Sequence, residues 1–139
     1  MVDKLSILVD LNILLDVLQK REPFYEASAN LLAAIETGRV DGYVAAHSIP
    51  TLFYLNQKDR GTSEARAMIT NLMQFIKVAP VDHSTIEQAL NLDYVDFEDS
   101  VQMITAVQCK LNCLITRNIK YYRPALLPVL QPVVFLAGL

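Results

Sequence analysis

The chain has 139 residues, 53% of them hydrophobic and 19% charged, enough to bury one substantial core and too apolar for a disordered chain. Its net charge of −3 gives no overall attraction to nucleic acid, so contact with one needs a local patch; Lys20 and Arg21, Lys58 and Arg60, Arg66, and Arg117 with Lys120 and Arg123 are available. Asp10, Asn12 and Asp16 interrupt the apolar N-terminal run, and no window nears about 18 unbroken apolar residues, so neither a membrane span nor a targeting segment is expected, and the location is expected to be cytoplasmic.

LSILVD (5–10) is a short, partly β-branched apolar run of the kind that forms a buried parallel strand. It ends at Asp10, and Asn12 is expected to cap a helix over 13–20 that Arg21-Glu22-Pro23 closes. Phe24, Ala27, Leu31, Leu32 and Ile35 fall at helical spacing and stop at Gly38. GYVAA (42–46) is the second strand. A helix follows from Ser48, with Pro50 tolerated in its first turn.

QKDRGTS (57–63) reads as a polar break, 64–75 as helix, and IKVAPV (76–81) as strand. Ser84 and Glu87 have capping-box spacing for another helix. DFEDSVQMITAVQCKL (96–111) is the best-marked later helix, CLIT (113–116) a strand, and PVVFL (132–136) the last strand. Strand and helix alternate without repeats or low-complexity linkers. This predicts a single α/β domain over 1–139, with three α/β/α layers around a mainly parallel sheet. Ligands of such sheets bind at the carboxyl ends of the strands, where Asp10 and Thr116-Arg117-Asn118 fall.

Burying an unpaired carboxylate costs several kcal/mol, roughly, so Asp10 requires a metal, a partner or water. Asp96, Glu98 and Asp99 open the long late helix, where the macrodipole favours negative charge, and Asp96 is placed to cap it. Asp99 leads an otherwise apolar face continued by Met103 and Ala106. If Asp10 and Asp99 converge, two carboxylates about 4 Å apart repel by roughly 4 kcal/mol at an effective dielectric of 20. A divalent cation with hard oxygen ligands, Mg²⁺ or Mn²⁺, removes that conflict and activates water towards a phosphodiester.

The other features have plain readings. Cys109 and Cys113, with no nearby His, are small buried hydrophobes, and His47 and His83 lack ligand spacing. The pairs Phe53-Tyr54 and Tyr121-Tyr122 are read as packing, with base stacking as the alternative. A phosphatase of the haloacid dehalogenase type would need a second Asp two residues after the first, where Asn12 stands and cannot transfer the proton.

Four segments in order resemble the PIN domain family, the nuclease fold of the VapC-type toxins: LVDLNILLDVL, REPFYEASANLLAAIETGRVDGYVAAHSI, DFEDSVQMITAVQCKLNCLITRNIKYY and the closing PVVFL. The resemblance implies a ribonuclease that binds Mg²⁺ or Mn²⁺ through Asp10 and Asp99, with Asp96 and Asn118 as further members of the catalytic set. It also implies that Asn12, Thr116, Arg117 and Lys120 orient water or phosphate. A homodimer and an inhibiting antitoxin protein are the partners it implies besides RNA. The chain departs from the family at three places: Thr51, Asn118 and Tyr121 stand where many members carry an acid. A PIN module that binds RNA or protein with little or no catalysis is therefore the alternative.

Overall fold

A computed structural model describes residues 4–139 of the chain. In order, its elements are β1 (Ser6–Val9), α1 (Leu11–Leu18), α2 (Tyr25–Glu36), β2 (Asp41–Ala45), α3 (Ser48–Arg60), α4 (Thr62–Leu72) and β3 (Lys77–Ala79). These are followed by α5 (His83–Leu90), α6 (Phe97–Gln108), β4 (Cys113–Ile115), a 3₁₀ turn (Ile119–Tyr121), β5 (Val129–Leu130) and α7 (Pro132–Ala137). The strands form one sheet in the order β3-β2-β1-β4-β5, and every pairing is parallel.

The two-residue period of the strands divides the core. Ile7 and Val9 of β1 and Cys113 and Ile115 of β4 point to one face, where Ile13, Leu14, Leu31, Leu52 and Phe135 cover them. Leu8 and Leu114 point to the other, against Met103 and Ala106 of α6 with Tyr94 and Tyr122. Helices on both faces give the expected α/β/α layers, and burial from both sides explains why Ile7, Leu8 and Val9 are apolar at successive positions. Among the described residues no helix is long and apolar enough to cross a membrane.

Several local expectations are corrected. PVVFL is helix α7, and the last strand is the preceding Val129–Leu130. Pro132 stands at the helix start, where its missing N–H is no loss, and only Pro132 and Phe135 of the helix are buried, at i, i+3 spacing. Val133 and Val134, which made the run look like a strand, are 64% and 54% exposed.

The polar stretch 57–63 is helical on both sides of a single corner, Gly61, whose φ of +90° only glycine adopts readily. The capping box before α5 lies two residues earlier than the spacing suggested. Asp82 accepts from the Thr85 backbone N–H at 3.1 Å, while the Thr85 hydroxyl accepts from the Asp82 N–H at 3.1 Å. Helix α1 begins at Leu11, so Asn12 lies within its first turn and Asp10 holds the N-cap position.

Candidate active site

The sheet order reverses direction at β1: the chain continues to β2 and β3 on one side and to β4 and β5 on the other. The crevice beyond the carboxyl ends of β1 and β4 is the topological switch point where such sheets bind ligands. Asp10 stands there, immediately after β1, with its backbone N–H donating to the Ile115 carbonyl of β4 at 3.0 Å.

An aspartate at an N-cap normally turns its carboxylate onto the free amides of its own helix. Asp10 makes no such bond. One carboxylate oxygen, Oδ2, accepts from the Thr116 hydroxyl at 2.8 Å, and the other, Oδ1, accepts from the Gln102 side-chain amide at 3.0 Å. Asp10 is 6% exposed, so these two neutral donors compensate for much of its lost hydration.

Asp99, in the first turn of α6, reaches the same crevice by a different route. The Tyr122 hydroxyl donates to Asp99 Oδ1 at 3.0 Å and accepts from the Gln102 amide at 3.1 Å. A continuous line of side chains therefore runs Asp10–Gln102–Tyr122–Asp99. Among the described residues no salt bridge involves either aspartate. Burial raises the Asp99 carboxyl to about 6; the Tyr122 hydrogen bond opposes the shift, and the charges of Asp96, Asp10 and Glu98 add to it. The Tyr122 hydroxyl is itself pushed up, by burial and by the charges of Asp10 and Asp99.

The remaining predicted residues divide into those at the crevice and those elsewhere. Thr116 is fully buried and holds Asp10, and its hydroxyl also accepts from the Asn118 backbone N–H at 3.2 Å. Asp96 is exposed and caps α6, accepting from the Glu98 N–H at 2.9 Å. Asn12 and Thr51 are partly exposed, in the first turns of α1 and α3 respectively. Lys120 is exposed and lies over the Tyr121 ring at 5.3 Å; Tyr121 itself is half exposed.

Arg117, expected to meet phosphate, is partly buried and lies against two neighbours. Its Nε lies 3.2 Å from Oδ2 of the fully buried Asp16, at an angle too poor for a hydrogen bond, and its guanidinium stacks on Phe24 at 4.1 Å. Asp16 also accepts from the Ser28 hydroxyl at 3.2 Å. Burial raises its pKa, with Arg117 opposing.

Sequence reasoning overlooked Gln102 and Asp16, and it read Tyr122 as packing. Gln102 carried a usable signal: it lies three residues after Asp99, a long polar side chain between the buried Val101 and Met103. Tyr122 does pack, edge to face with Tyr94 at 6.0 Å, and its hydroxyl is in addition a member of the site.

The donor set suits a hard divalent cation. Each Asp10 oxygen keeps an unused lone pair after accepting one hydrogen bond, and Asp99, whose carboxyl is raised mainly by burial with the charges of Asp96, Asp10 and Glu98 adding to the shift, is a second oxygen donor whose ionised form a cation would favour. Among the described residues no group of three or more His, Cys, Asp or Glu side chains is gathered for a metal. Mg²⁺ is commonly held by one or two carboxylates with waters and substrate phosphate.

The PIN domain family matches residues 6–120, and the chain belongs to that family. A comparison with curated proteins finds no match. Among solved structures, it is similar to a toxin–antitoxin complex from Klebsiella pneumoniae, at 21% identity and a TM-score of 0.68, covering 91% of this chain and 98% of that one. It is also similar to VapBC2 from Rickettsia felis, bound to a DNA fragment from its promoter, at 12% identity and a TM-score of 0.68, covering 91% of this chain and 98% of that one. A third is the sarcin–ricin-loop-cleaving toxin VapC20 of Mycobacterium tuberculosis, at 16% identity and a TM-score of 0.62, covering 78% of this chain and 87% of that one. At these identities the likeness is one of fold.

Proposed function

We propose that the chain acts as one PIN domain and is a divalent-metal-dependent endoribonuclease of the toxin type. The observation that carries this reading is the convergence of Asp10 and Asp99 on one crevice at the sheet's switch point, each held by neutral donors. Asp10 and Asp99 would hold Mg²⁺ or Mn²⁺; when bound, the ion supplies Lewis acidity towards water and a phosphodiester oxygen. Thr116 and Gln102 fix the direction of the Asp10 carboxylate, and Tyr122 fixes that of Asp99. Asn118, next to Thr116, and the exposed Lys120 are the groups left to contact the RNA backbone, because Arg117 is committed to Asp16.

RNA as substrate draws support from the fold shared with a sarcin–ricin-loop-cleaving toxin, and an antitoxin partner from the toxin–antitoxin assemblies among the similar structures. The test is cleavage of single-stranded RNA with Mn²⁺ or Mg²⁺, by the parent and by Asp10→Asn. Activity that needs metal and falls to background in the variant is expected; cleavage that survives Asp10→Asn removes the role given to Asp10.

One observation favours a second reading, a PIN module that binds RNA without cutting it: among the described residues no third acidic, His or Cys side chain joins the two carboxylates. Mn²⁺ uptake and RNA binding with no product would select that reading.

A further inference from the structure

We propose that Gln102 and Tyr122 are positioning residues whose hydrogen bonds join Asp10 and Asp99 into one unit for binding a divalent cation. The inference rests on the reading of those two aspartates as the cation's carboxylates, and it concerns how neutral groups between them set their geometry.

The chemistry allows the line only one polarity. An amide nitrogen carries two hydrogens and accepts none. Gln102 Nε2 directs one at Asp10 Oδ1 (3.0 Å) and one at the Tyr122 hydroxyl oxygen (3.1 Å). The single hydroxyl hydrogen of Tyr122 is then free for Asp99 Oδ1 at 3.0 Å. Turning the amide over would set its carbonyl oxygen against the Asp10 carboxylate, so the two acids dictate its orientation.

The line is also held mechanically. Gln102 and Tyr122 are 4% and 1% exposed. Gln102 lies one turn after Asp99 on α6, and the Tyr122 ring is wedged against Tyr94. Neither donor can swing away without disturbing the face of the core that contains Met103 and Leu114.

A second observation points away from a purely structural role. Gln102 Oε1 is buried with no hydrogen-bond partner. A buried, unpaired carbonyl is destabilising, and a Leu or Met of similar volume would remove it at the expense of the two hydrogen bonds that the amide nitrogen makes. The amide is worth having there for what its nitrogen holds.

The experiment uses the full chain, stripped of metal, as parent, Gln102→Leu, Tyr122→Phe and the double variant. Mn²⁺ affinity is measured by calorimetry and unfolding by urea in EDTA. Loss of a residue that orients a metal ligand typically weakens affinity about 10- to 100-fold. Each single variant is expected to bind Mn²⁺ at least about 10-fold more weakly, and the double variant about as weakly as the worse single one, far from the product of the two.

Gln102→Leu leaves the buried Asp10 Oδ1 without its amide donor, so a lower urea midpoint in EDTA is expected beside the loss of Mn²⁺ affinity; the Mn²⁺ affinity of the folded variant without urea is the readout that a packing residue would not move. Parent-like Mn²⁺ affinity in either single variant, or a double variant whose loss is the product of the singles, overturns the proposal. A parent that takes up no Mn²⁺ counts against the nuclease reading instead. The relay is then read from the urea midpoints: a combined shift smaller than the sum of the singles supports it, and a simple sum overturns it.

Discussion

Replacing Asp99 by Asn tests the electrostatics of the crevice directly. Asn keeps the shape and an Oδ1 that accepts the Tyr122 hydrogen bond, and it removes the ability to ionise. The Asp99 carboxyl is raised from 3.8 to about 6, mainly by burial, with Asp96, Asp10 and Glu98 adding to the shift. A folded-state pKa above the unfolded value means that the native state holds the proton more tightly, so this group favours folding most below about pH 4. That contribution is lost as the pH rises through about 6.

At about 1.4 kcal/mol per pKa unit, the ionised side chain costs at most about 3 kcal/mol above that window, and partial exposure reduces this to about 1–2 kcal/mol. Asp99→Asn is therefore expected to be more stable than the parent at pH 7.5 by about 1–2 kcal/mol, or about 3–8 °C in Tm, with the difference shrinking towards zero at pH 4. Urea unfolding in EDTA at the two pH values measures it. An equal difference at both pH values, or a less stable variant at pH 7.5, refutes the reasoning. Added Mn²⁺ is expected to raise the midpoint of the parent and leave that of the variant in place, since binding to the native state alone stabilises it.

Two further outcomes follow from packing and charge. Arg117→Leu leaves the fully buried Asp16 without its cation and is expected to destabilise the fold by about 3–5 kcal/mol; Asp16→Asn in the same background should recover part of the loss, as read by urea midpoints. Gly42→Ala places a methyl 2.5 Å from Ile35 Cδ1, inside the face covered by α2, and is expected to cost about 1–3 kcal/mol by thermal unfolding. An unchanged Tm in that variant would show that Ile35 moves aside freely.

Alternation of apolar runs with helical periodicity was enough to predict the α/β layers, the parallel sheet and the strand-end position of Asp10, because each strand buried on both faces must be apolar throughout. The local pattern was less informative where two structures compete for one composition. PVVFL has the residues of a strand and forms a helix because β5 is already paired with β4 at Val129–Leu130, which leaves Pro132 to start a new element. The capping box moved to Asp82 because Asp and Ser both serve as caps, and the chain's path, not the motif, selects between them.

The two aspartates were legible one at a time: an acid ending an apolar strand, and an acid leading an apolar helix face. What joins them was not. Asp10, Gln102 and Tyr122 are separated by 92 and 20 residues along the chain, and no local spacing encodes hydrogen bonds of that span. The sequence by itself determined which segments are buried, since burial follows side-chain chemistry. Only the tertiary structure decided that Arg117 pairs with Asp16, and that a glutamine and a tyrosine hold the acids, since ion pairs and hydrogen bonds depend on where the chain brings each group.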